Sequence, residues 1–123
     1  MQNENQTTKV INVSDVVYTI QKLGISSNLF GFNYIRYAIE LIAKDESYMH
    51  STTKRLYPEI ARAFNSTSQR VERAIRHAID VSMYRVNREY WDMIFDGICT
   101  LDDVRPTNSE FLATIYTYLK YRC

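Results

Sequence analysis

Apolar residues recur along most of this chain at intervals of three and four, and no stretch shows the alternation of a half-buried strand. Residues 1–12 are polar and without period, the pattern of a disordered tail. Ser14 is placed to cap a first helix whose Val16, Val17, Ile20 and Leu23 share a face, and Gly24 to stop it. ISSNLFGF (25–32) reads as a connecting turn. A longer helix over about 33–44 follows, with Ile35, Ala38, Ile39 and Ile42 inward and Tyr34, Tyr37 and Leu41 beside them. Residues 48–57 carry another helical piece that ends against Pro58, a residue tolerated in the first turn of a new helix.

The next two segments are read together. PEIARAF (58–64) places Ile60, Ala61 and Phe64 on one face, and Asn65-Ser66-Thr67 then interrupts the pattern. Asn65 tolerates the left-handed backbone such a turn requires. Ser66 or Thr67 caps the following helix, Ser66 with Gln69 having capping-box spacing. That helix, over about 67–84, collects Val71, Ala74, Ile75, Ala78, Val81 and Ser82 on one side. Gln69, Arg70, Glu72, Arg73, Arg76, His77 and Asp80 lie on the other, with Ile79 out of place among them. Small Ala61 and Ala74 let the two helices of this helix-turn-helix approach closely.

Val86, Tyr90, Met93 and Ile94 continue the pattern to about Phe95, with Gly97 as its stop and ICTLDDVRP (98–106) as a loop. Thr107 and Glu110 have capping-box spacing, and Phe111, Leu112, Ile115 and Leu119 form the inward stripe of a last helix. The expected fold is all-α, a bundle of about six helices containing a helix-turn-helix, with residues 13–123 as its one domain.

Composition narrows the function. The chain has 123 residues, of which 46% are hydrophobic, with three glycines and two prolines, enough for one compact helical core. No apolar run approaches a membrane span and the N-terminus is not that of a signal peptide, so a cytoplasmic protein is expected. Cys99 and Cys123 form no disulfide framework or ligand cluster and read as free thiols. His50 and His77 are isolated, and the pairs Asp92/Asp96 and Asp102/Asp103 read as solvated carboxylates. With no phosphate loop or nucleophile motif, neither catalysis nor a cofactor or metal is expected.

The net charge of +1 is unevenly distributed: residues 54–88 carry +5 and the remainder −4. Basic charge gathered around one helix-turn-helix is the footprint of a phosphate-facing surface, whereas residues 89–104 hold five acidic groups and no basic one and face away from DNA. Arginine in the first turn of the second helix is where a helix in a major groove meets base edges. A charge-mixed face of this kind also occurs on solvated helices in general, and the pattern by itself leaves both readings open.

Sequence blocks add to that reading. RVERAIRHAI (70–79) resembles the signature of the C-terminal effector domain of the sporulation response regulator family, the stage zero sporulation master regulators. GFNYIRYAI (31–39) is similar to the family's GYxYLRxAI and TKRLYPEIARAFNST (53–67) to its TKxLYPxIAxxFNTT, and PTNSEF (106–111) recurs as it stands. The similarity runs from about Val13 to about Leu119. It implies an all-helical domain that binds double-stranded DNA at TGTCGAA-like boxes, in tandem copies, and contacts an RNA polymerase sigma factor. It also implies that Arg70 and Arg73 read guanine, that Glu72 accepts from cytosine N4, and that Arg76 and His77 touch bases or phosphates. Gln69 replaces the family's serine and offers an adenine contact.

The resemblance has departures. The residues before Ser14 are too few for the family's phosphorylated receiver domain, so control by phosphorylation in cis is not expected. The loop before PTNSEF, lysine-bearing in the family, keeps only Arg105 as a phosphate contact beside Lys54. The segment 86–96 matches the sigma-contacting region in place and not closely in sequence. These points leave an alternative: a receiver-less interaction module that modulates a full-length regulator or sigma factor, with Tyr90, Trp91, Tyr118 and Tyr121 as exposed aromatic anchors, although the same four residues read more readily as the edge of the core.

Overall fold

A computed structural model describes residues 11–85, 87–95 and 105–121. The expected tail over residues 1–10, the stop at Gly97, the loop over 98–104, the carboxylates of Asp96, Asp102 and Asp103, and both cysteines lie outside the described residues. Within them six α-helices follow one another: α1 Val13–Lys22, α2 Phe30–Lys44, α3 Tyr57–Ala63, α4 Ser68–Arg85, α5 Arg88–Phe95 and α6 Asn108–Tyr121. A 3₁₀ turn (Glu46–His50) and one π-helical turn (Thr52–Leu56) join α2 to α3. The fold is all-α, as the periodicity predicts.

Helix α2 is the centre, packing against α1, α3, α4 and α6. Its Ile35, Ala38 and Ile39 are fully buried and meet a core built from Val16, Ile20, Leu56, Ile60, Val71, Ile75, Phe111 and Ile115. It begins at Phe30, three residues before the expected start, because Gly31 belongs inside the helix rather than in a turn. A Cβ at Gly31 would lie 2.4 Å from the Ala74 carbonyl oxygen and 2.8 Å from the Ala78 Cβ. Only glycine lets α2 cross α4 at this distance. The close approach expected of Ala74 is thus made to α2.

Local chemistry explains the boundaries. Asn12, not Ser14, caps α1: its Oδ1 accepts from the Asp15 amide at 2.9 Å and from the Ser14 hydroxyl at 2.8 Å. Gly24 ends that helix with φ 87°. Pro58 sits in the first turn of α3, where no intrahelical partner is lost. The expected capping box at α6 is formed in both directions, the Thr107 amide donating to Glu110 Oε1 at 2.9 Å and the Glu110 amide to Thr107 Oγ1 at 3.1 Å.

Three expectations are corrected. The helix after Arg85 is a new one, because the Asn87 side chain caps it by accepting from the Tyr90 amide at 3.1 Å. Ile79 is fully buried, since α4 packs against α6 as well as α2 and α3 and its covered arc is wider than the predicted stripe. Trp91, a surface anchor only in the interaction-module reading, is fully buried, stacked on Phe95 at 4.3 Å, which in turn stacks on Phe111 of α6 at 5.4 Å.

Candidate nucleic-acid interface

Between α3 and α4 the chain turns in a few residues. Asn65 takes φ 53°, and the Ser66 amide donates to the Ala61 carbonyl at 2.8 Å. Thr67 is the cap of α4, its Oγ1 accepting from the Arg70 amide at 3.1 Å, so the Ser66–Gln69 box is not the one used. The result is a short helix, a tight turn and an 18-residue helix, as the sequence predicts.

Helix α4 buries Val71, Ile75, Ala78, Ile79 and Ser82 and presents Gln69, Arg70, Arg73, Arg76, His77 and Asp80 to solvent. These exposed residues differ in what holds them. Arg76 bonds to the half-buried Glu72 through Nε at 3.0 Å and through a second, shorter contact, and this bond holds the guanidinium proton more tightly than usual. Arg105 Nε donates to Asp80 Oδ1 at 2.7 Å while its Nη2 donates to the Arg76 carbonyl at 3.0 Å. Among the described residues, neither Arg70 nor Arg73 has a carboxylate partner. Lys54 is exposed in the π turn before α3.

What fixes this face is a set of polar contacts behind it. The buried Asn108 side chain donates to the Tyr57 hydroxyl and to the Glu72 carbonyl, both at 3.0 Å. Burial pushes the Tyr57 phenol up from its ordinary value, against the opposing effect of that bond. Ser82 Oγ donates to the Leu23 carbonyl at 2.6 Å inside the core. Helix α4 is therefore tied near its start by α3 and α6, and near its end by the close of α1.

Asn108, Tyr57, Ser82 and Gly31 escape a reading of the sequence that looks only for charge. The available signal is a polar residue on an inward stripe, as for Asn108 three residues before Phe111, since a buried amide requires partners. Tyr90 and Trp91 fare differently: Tyr90 is half-buried with the Lys22 ammonium 5.5 Å from its ring, and Trp91 offers no surface. Among the described residues no helix is long and apolar enough to cross a membrane and no three His, Cys, Asp or Glu side chains gather as metal ligands.

A helix-turn-helix with a basic outward face, all-helical surroundings and the ordered sequence blocks agree with a comparison against protein families. The model described as "Sporulation initiation factor Spo0A C terminal" matches residues 16–119, and the chain belongs to this family of DNA-binding transcription regulators.

Proposed function

We propose that this protein binds DNA sequence-specifically, inserting the first turns of α4 into the major groove of TGTCGAA-like boxes. The observation that carries this reading is the pair Arg70 and Arg73. Both are exposed on a helix braced from behind, and among the described residues both lack a carboxylate partner. An unpaired guanidinium offers its donor fork to guanine O6 and N7, and rigid placement lowers the entropy lost on binding. Gln69 and His77 extend the reading edge along the same face, and Lys54 supplies a phosphate contact.

Two assigned roles shift. Glu72 and Arg76 enter the groove as a preformed pair, which leaves Glu72 Oε1 for cytosine N4. Arg105, expected on phosphate, spends two donors on Asp80 and on the Arg76 carbonyl, and its proposed role is to hold α4. Tandem copies on adjacent boxes and contact with a sigma factor belong to the same family-based reading; a two-box duplex and a pulldown with purified sigma factor test them.

The first experiment is fluorescence anisotropy with a single-box duplex against a scrambled duplex over a salt series. Specific recognition gives a preference on the order of 10³-fold or more. Equal, steeply salt-sensitive binding to both duplexes would reduce the protein to phosphate contact and sink the proposal.

A further inference from the structure

Beside the outward face of α4 lies a cleft of about 640 Å³, walled by the start of α2 and the turn before α4. Phe30, Tyr34 and Phe64 line it, and Arg70, Arg73 and His77 rim it. Phe30 is 76% exposed although it opens a helix, stacked on Tyr34 with ring centroids 6.3 Å apart. An isolated exposed phenylalanine needs no explanation. This one lines the same cleft as Arg70 and Arg73, which among the described residues have no carboxylate partner.

We propose that this cleft seats the sugar-phosphate strand that borders α4 on DNA, with Phe30 packing on deoxyribose. The inference rests on the DNA-binding reading above and extends it to α2. Its physical basis is size: a helix with its side chains is about 10–12 Å across and the major groove is about 12 Å wide. An inserted helix therefore has a backbone strand against each flank. The flank bearing Arg70, Ala74 and His77 is the one that opens into the cleft. A DNA strand alternates anionic phosphate with apolar sugar, and the cleft offers an aromatic ring to the sugar beside arginines whose charge draws the strand in while their donors read the bases.

The test compares wild type, Phe30→Ala and Phe30→Lys by anisotropy on single-box, scrambled and two-box duplexes across a salt series. Loss of a nonionic backbone contact weakens single-box and scrambled binding alike, by about tenfold for an apolar side chain of this size, at an unchanged salt slope. Phe30→Lys recovers affinity and steepens the slope of log K against log salt by about 0.9, one added phosphate contact. If Phe30→Ala binds as wild type does while wild type still prefers the box, the cleft is not a DNA surface and only this inference falls. A loss confined to the two-box duplex makes the occupant a second copy of the chain and also overturns it. Wild type that binds no duplex removes both readings together.

Discussion

The Asn108 side-chain amide, at the head of the last helix, donates to the main-chain carbonyl of Glu72 at 3.0 Å, in the middle of the face that carries the candidate base-reading residues. Its second bond, to the Tyr57 hydroxyl at 3.0 Å, ties in the helix before the turn. One buried amide thus sets the position of α4 relative to both neighbours. Asn108→Ala removes the donor of a buried hydroxyl and of a part-buried carbonyl and is expected to lower stability by about 1–3 kcal/mol. Asn108→Asp turns an oxygen toward the Glu72 carbonyl and is expected to lower it further. Urea unfolding checks the order, and an Asn108→Asp protein as stable as wild type would refute it.

Gly31→Ala tests the crossing of α2 and α4. In an open helix this change is favourable by up to about 1 kcal/mol. Here the new methyl meets a backbone carbonyl at 2.4 Å, so the sign reverses and a loss of about 1–3 kcal/mol is expected from overpacking. The displaced α4 also loses box discrimination. Thermal unfolding and anisotropy measure the two effects on the same sample.

The arginines divide by salt dependence. Arg70→Ala or Arg73→Ala is expected to weaken box binding by about 1–3 kcal/mol and to relax specificity. Lys54→Ala weakens all sequences alike and lowers the salt slope by about 1. Arg105→Ala separates a brace from a phosphate contact: a brace leaves the slope unchanged while discrimination falls, whereas a slope lower by about 1 would restore the phosphate role.

Acid pH acts at the other end of the molecule. Glu46 accepts hydrogen bonds from Lys120 and from the Tyr116 hydroxyl, and these hold its carboxyl below the usual glutamate range. A depressed folded-state pKa means that the contribution is present above the unfolded-state pKa and fades as pH falls through the folded one. The melting temperature of wild type should therefore exceed that of Glu46→Gln at neutral pH, with the gap closing in acid. A gap independent of pH would show that the carboxylate charge contributes nothing.

Most features with a local cause are legible in the sequence, although the caps at Asn12 and Asn87 are not. Periodicity located the helices, Asn65 marked the left-handed turn, Thr107 with Glu110 marked a cap, and the stripe Phe111, Leu112, Ile115 and Leu119 is buried as read. The arginines of α4 were visible as an outward face for the same reason, since 100° per residue fixes which side chains share a side. Tertiary structure decided what depends on residues far apart in the chain. Burial of Trp91 follows from where Phe111 of α6 lies, and a glycine that looked like a turn is a helix crossing because Ala74 and Ala78 come to meet it. The same holds for one of the charges: Arg105 finds Asp80 across 25 positions, a pairing no local pattern encodes, whereas Arg76 finds Glu72 one helical turn away; among the described residues Arg70 and Arg73 have no carboxylate partner.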